Sequence, residues 1–364
     1  MKKLLFYTAF LFTTAHAQVI MNRDSLLKLL PQVKENKEAV DLYINIGQQY
    51  ENNTPELAKY YYKKAGEVSK KIKYAEGEAR YIFNYTYILN LQGQYDSSLV
   101  LNLQSVEIAK KLNDPVVLGK ALFNTGTSYR LLSQYEMAAT FYEEGKKVFA
   151  GNKDSSMVAR SFDILQLLYY DLRDYDRSIQ YGEAAVNYFR KNEDSIWLGN
   201  ALSNLGMSYA KRKKYKEAEN SWREAFAIGK NIGHVEMQAA QLLNIADLHY
   251  SKGEYDQLKD YYEKALELSN IVNSSETKAV SYRGLGVYYF FRKDFEQAKA
   301  MALNALQIAN EEQMLPEKAK ILELLSRIHF GLQEVVAGQQ YALQSDLIVD
   351  IINTDVIKKN IIYI

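Results

Sequence analysis

Residues Asn204–Ala225 read NLGMSYAKRKKYKEAENSWREA, and this stretch decides the fold because the rest of the chain copies it. From Tyr215 inside it, steps of 40 residues land on Tyr95, Tyr135, Tyr175, Tyr255 and Phe295. The glycine of its N-x-G-x-x-Y pattern sets a second register, at Gly47, Thr86, Gly126, Gln166, Gly206, Ala246, Gly286 and Ser326. The first interval there is 39 and the others are 40. Self-similarity at one fixed period marks stacked units, none of which can bury its apolar face alone.

Each unit reads as two helices joined by a short turn. Helix A carries N-x-G-x-x-Y, and helix B begins near the marker aromatic, with apolar or small residues at three- and four-residue steps. One helix B position is small throughout, from Ala65 and Ser105 to Ala305 and Ser345, and seven residues earlier the only large residue is Leu258. Small side chains there let the paired helices approach, and glycine on helix A is tolerated for the same reason.

These residues carry a family resemblance. Gly206, Tyr209, Tyr215, Ala218, Trp222 and Ala225 fall in the order and spacing of the tetratricopeptide repeat, and the chain resembles a protein of that family over nearly its whole length. The resemblance implies an all-α, right-handed superhelical solenoid of about eight helix-turn-helix repeats, starting near residues 39, 79, 119, 159, 199, 239, 279 and 319 and running to 350. The period departs from the usual 34 residues, and the extra ones are expected at the end of helix B and in the loop after it. HEAT and armadillo repeats share the longer period but lack the paired small positions. The fourth unit fits least, with Gln166 at the glycine position and Gly182 at an aromatic one.

The chain has 364 residues, 48% of them hydrophobic, with net charge +1 and no cysteine. That is ample for a large core. The charge balance excludes nucleic acid as a whole-protein partner, since phosphate binding needs a concentrated basic surface. Without cysteine there are no disulfides, thiolate metal sites or cysteine nucleophiles. Residues 1–17, MKKLLFYTAFLFTTAHA, have the basic start, apolar run and Ala-x-Ala end of a secretory signal peptide. The apolar run is too short for a membrane span. Export is therefore expected, to the periplasm of a Gram-negative bacterium. Residues 18–38 are expected to form a capping helix through Leu26, Leu27, Leu29 and Leu30, and 351–364 a tail whose charges, from Asp355 to Lys359, leave it short of a membrane span.

Two residues before the glycine position stand Asn45, Asn84, Asn124, Asn204 and Asn244. Asparagine is a poor helix-interior residue with an amide able to pair with a peptide backbone. Similar ladders in some tetratricopeptide proteins hold extended peptides in the groove lined by the A helices. The column can equally be structural, bonding a neighbouring helix. Four residues upstream stand Arg80, Lys120 and Arg160, so that a cation and an amide share one helix face. This is similar to the carboxylate clamp of chaperone-binding members, in part only: Phe83 and Phe123 hold the clamp's first lysine position, and Tyr87 and Thr127 its second asparagine position. Arg130 lies at the groove's flank. A solvated surface is the plain alternative for these cations.

Catalytic chemistry has little support. His249 and His329 occupy a helix A position held elsewhere by tyrosine and read as packing residues. No metal-ligand spacing, phosphate loop, G-x-S-x-G or H-E-x-x-H is present. The expected protein is a non-enzymatic scaffold without cofactor or metal, binding a protein or peptide segment. The alternative is the sensory input domain of a truncated or split regulator, partnered with a membrane signalling protein. It rests on similarity to the extracytoplasmic sensor halves of Bacteroidetes regulators.

Overall fold

The computed structural model describes residues 23–51 and 54–361, with side chains to 352. The expected signal peptide lies outside the described residues. The described chain is helical throughout, without strands. It forms two compact units that divide at Leu168 and Tyr169, and each is taken by itself.

The first unit opens with α1 (Arg23–Leu29), and Leu26 packs with Leu42 and Ile46. Its A helices are α2 (Lys37–Gln48), α4 (Ala75–Leu91), α6 (Pro115–Leu131) and α8 (Ser155–Asp171), in which the division falls. They alternate with the B helices α3 (Pro55–Lys71), α5 (Tyr95–Leu112) and α7 (Tyr135–Gly151). The second unit continues with B helices α9 (Tyr175–Lys191), α11 (Tyr215–Asn231), α13 (Leu258–Val272), α15 (Phe295–Glu311) and α17 (Val335–Ile361). Between them lie A helices α10 (Ser195–Lys211), α12 (Val235–Lys252), α14 (Ser275–Phe291) and α16 (Leu315–Gly331). The marker aromatic is the first residue of α5, α7, α9, α11 and α15; Tyr255 instead opens a short 3-10 turn before α13.

Helices of 17 residues and links of three account for the period, as 212–214 after α10 and 232–234 after α11 show. The extra length is helix in both halves, not the loop after helix B. Each link turns through one left-handed residue at 20-residue steps, Lys73, Gly93, Asn113 and on to Gln333. After α10, for example, Lys213 N–H donates to Ala210 O and Lys214 N–H to Tyr209 O, covering carbonyls the helix end would leave bare. Side chains cap several starts, as Asp194 Oδ1 accepts from Trp197 N at 3.3 Å. The expected boundary after 350 falls inside α17, which runs unbroken to Ile361.

The small helix B positions are buried completely, Ala218, Ala225, Ala298 and Ala305 among them. Several helix A glycines make room for rings: a Cβ on Gly126 would stand 2.6 Å from the Tyr142 ring and 3.2 Å from Ala138 O, whereas one on Gly286 would meet Leu324 and Ala298 O. In the second repeat the pair equivalent to Gly126 and Tyr142 is polar. Thr86 donates to the Oδ1 of fully buried Asn102 at 3.1 Å, and the Asn102 amide reaches Asn124 O and Ser128 Oγ. Such a network is satisfied only in one register.

Candidate functional site

In both units the A helices touch those of neighbouring repeats: α2 with α4 and α4 with α6 in the first, α10 with α12, α12 with α14 and α14 with α16 in the second. Adjacent B helices make no comparable contact among the described residues. Closer spacing of A helices makes their side the inner one, so A-helix side chains line each unit's concave face.

The asparagine column divides on this face. Asn84 is 8% exposed and fully engaged, its amide donating to Arg80 O at 2.7 Å and its Oδ1 accepting from Gln48 Nε2 at 3.2 Å. Asn204 is buried at 7% exposure. Burial leaves these two little surface on that face. Asn45 and Asn124 are half-buried, and their amides bond no described residue. Half-buried Asn244 donates to Gln241 Oε1 of its own helix at 3.3 Å.

The cations divide too. Arg80 pairs with Asp41, one repeat back in the same column, at 2.6 Å. Half-buried Lys120 has no hydrogen bond or ion pair with any described residue. Desolvation, then repulsion from Arg160 and Arg80, lowers its ammonium below the ordinary lysine range, against the weaker pull of Asp114 and Asp154. Lys120 and Asn124 lie one helical turn apart on α6. Arg130 stands ten residues along that helix from Lys120, about 15 Å of rise, and the two are not brought together. The first unit's inner face therefore holds a row of cations whose middle member lacks an anion, beside an open amide.

Sequence reading missed a second cluster, on the inner face of the second unit. Arg283 on α14 forms an ion pair with Glu317 on α16, and Lys320 approaches the same carboxylate at 3.2 Å. Burial works to raise the Glu317 carboxyl, but Arg283 and Lys320 hold it below its usual range. Tyr262 O–H on α13 donates to Asp247 Oδ1 on α12 at 3.2 Å. Asp247 reaches solvent on the concave side, yet crowding by the surrounding protein raises its carboxyl, with Arg283 opposing. The available signal was Lys320, which continues the column of Arg160 four repeats on. Arg283 and Asp247 also hold the columns that carry Phe123 and Thr127 in the third repeat. This network satisfies its own charges, whereas Lys120 is left unsatisfied.

Among the described residues no group of three or more histidines, aspartates or glutamates could hold a metal, and no helix is long and apolar enough to cross a membrane.

Comparisons with known proteins agree with this architecture. The tetratricopeptide repeat family matches residues 167–231 and 238–311. No curated protein matches. Among solved structures, the chain is similar to a signal-transduction ATPase of Pyrococcus horikoshii with a tetratricopeptide repeat sensor. The TM-score is 0.60 at 16% identity, over 85% of this chain and 46% of that one. It is similar to aspartyl phosphate phosphatase F of Bacillus subtilis, with TM-score 0.59 and 11% identity, over 92% of this chain and 96% of the other. A Rap protein complexed with competence and sporulation factor gives TM-score 0.59 and 12% identity, over 93% and 92%. At these identities the likeness concerns the fold alone. The chain is, in fold, a tetratricopeptide-like helical solenoid, with that family's own repeat matched in its second compact unit and the two residues just before it.

Proposed function

We propose that the protein is an exported, non-enzymatic scaffold that holds an extended protein or peptide segment against its concave A-helix face. The single observation carrying this reading is Lys120, a half-buried cation between Arg80 and Arg160 that no described residue neutralises. A partly desolvated charge without a counter-ion is costly, and an acidic group of a bound segment would remove that cost. Asn124 beside it, and Asn45 two repeats earlier, offer open amides for a segment's backbone. Asn84 and Asn204 act as packing residues instead. The fold is one that scaffolds use, and a Rap protein of the same fold was solved with a bound factor.

The test uses the mature chain from Gln18 and fluorescence anisotropy with labelled 12-residue peptides, one glutamate-rich and one lysine-rich. The acidic peptide should bind more tightly, and Lys120→Met should weaken it about tenfold, the worth of one charge-assisted hydrogen bond. Equal binding of both peptides, or unchanged binding by a folded K120M variant, overturns the reading. Export is checked separately by fractionating cells that express the tagged full-length chain.

A second reading has one observation in its favour: in the Pyrococcus horikoshii relative the repeats are named as the sensor. A sensory input role would use the same groove, with occupancy passed to a membrane signalling partner. Capture of a membrane protein only when the acidic peptide is present would separate this role from that of a passive scaffold.

A further inference from the structure

The outer face of α17 departs from the pattern of every described repeat before it. Val336, Leu343, Leu347 and Ile351 are 69%, 62%, 54% and 50% exposed and follow one another at steps of seven, four and four residues along one side of the helix. Together they span about 22 Å of helix. The earlier repeats are an internal control, because the same columns point outward there too. The column of Val336 holds Glu296, Asp256 and Lys216 in the second unit, all exposed. That of Leu347 holds Gln307 and Glu267, that of Leu343 holds Glu263 and Arg223, and that of Ile351 holds Glu311 and Asn231, with exposed Leu303 and Ile271 each the one apolar exception on its own helix. A helix that merely capped the stack would be more polar on this side than the internal ones, not less. The stripe is distinct from the stacking face of α17, where Ser345 donates to Ala319 O of α16 at 2.9 Å. It is equally remote in kind from the concave A-helix face.

Charge selects the occupant. Between Val335 and Ile352 the helix carries Asp346 and Asp350 and no lysine or arginine. Both aspartates are exposed, and neither forms an ion pair with a described residue. They stand along one edge of the stripe. An anionic lipid surface would be repelled by that edge. A second copy packed antiparallel would set the acidic edges against each other, and one packed parallel would leave each acidic edge against an uncharged one. An amphipathic helix with apolar residues on one side and lysine or arginine beside them meets both the stripe and its acidic edge. We propose that the outer face of α17 is a docking surface for a basic-flanked amphipathic helix of a partner protein, separate from the groove.

The experiment uses the mature full chain and two synthetic 18-residue helical peptides, one of leucine and lysine, the other of leucine and glutamate. The leucine–lysine peptide should bind, more weakly as salt is raised, and Leu343→Ser with Leu347→Ser should leave unchanged whatever leucine–glutamate peptide the groove takes. The same double variant should weaken leucine–lysine binding about tenfold or more, the loss expected when two exposed leucines no longer bury their side chains on binding. Circular dichroism would confirm that the variant stays folded. Lys120→Met should leave this binding unchanged, which keeps the outcome independent of the groove. The proposal is overturned by leucine–glutamate binding that the double serine variant weakens as much, or by leucine–lysine binding indifferent to that variant. A dimer of the free protein that the same variant abolishes would overturn it in favour of a second copy. Co-flotation with phosphatidylserine vesicles that the variant abolishes would overturn it in favour of a membrane.

Discussion

The indole of Trp222 lies against the bare Cα of Gly206: a Cβ added there would stand 2.4 Å from Nε1, which itself donates to Ser203 O at 3.0 Å. Helix A and helix B are thus matched in size at this point of the fifth repeat, and the hydrogen bond keeps the ring from moving aside. Gly206→Ala gains helix propensity of about 1 kcal/mol but overpacks the site, at about 1–3 kcal/mol. A net loss of stability is expected in urea unfolding. In Trp222→Ala the same glycine change should cost nothing, because its obstacle is gone. Equal effects in both backgrounds would refute the size match.

The links hold lysines where glycine is at ease. Lys213 and Lys293 both sit at φ 60°. Replacing either by glycine relieves a left-handed strain and gives back part of it as unfolded-chain entropy. The expected gain is about 0.5–1 kcal/mol for each, measured as a shift of the unfolding midpoint. Loss of stability in both variants would show that the lysine side chains contribute more than the turn geometry costs.

Arg283 and Glu317 carry a different expectation. Their side chains are 15% and 5% exposed, so removing one partner leaves the other's charge without an answer in a dry place. Glu317→Gln should cost about 3–5 kcal/mol, whereas the apolar pair Arg283→Met with Glu317→Leu should recover most of it. If the double variant is no more stable than the single, the pair is not the element that matters.

Glu51 should give the first unit a pH signature. Burial against Tyr62, whose O–H donates to it, pushes its carboxyl up to about 7 from 4.5. The folded state then holds a proton that the unfolded chain has lost, so stability falls as pH rises between about 4.5 and 7. Glu51→Gln should flatten that slope and stabilise the protein at pH 8 by about 1–3 kcal/mol. Unfolding midpoints of both forms at pH 5 and pH 8 would decide it. Parallel changes in the two proteins would remove Glu51 from the account.

The repeat was readable because packing acts on every unit alike. Tyr215, Ala218, Trp222 and Ala225 recur since each helix pair must close in the same way, and a contact demanded eight times leaves a periodic trace. The weak fourth unit follows the same logic once seen in register. Gln166 is buried at the glycine position while Gly182 takes the ring position, so the large and small residues have exchanged sides. The site was less legible. Asn84 and Asn124 hold the same column, each behind a phenylalanine and four residues after a cation, yet a glutamine 36 residues before Asn84 engages its side chain, while the Asn124 amide stays open. Arg80 and Lys120 look equivalent, and only the presence of Asp41 beside one of them separates a neutralised cation from a bare one.

By itself the sequence determined the helical repeat, its 40-residue period, the position where helix B starts and the columns of small residues, because those depend on local periodicity and on contacts that recur. The tertiary structure decided which columns are occupied by their neighbours. It showed the extra length of each repeat to be helix, Lys120 to lack an anion, Arg283 and Glu317 to meet, and Val336, Leu343, Leu347 and Ile351 to stand outward. Burial and pairing depend on what another helix brings to the same point in space, and that partner lies 30 to 40 residues away without any fixed signature of its own.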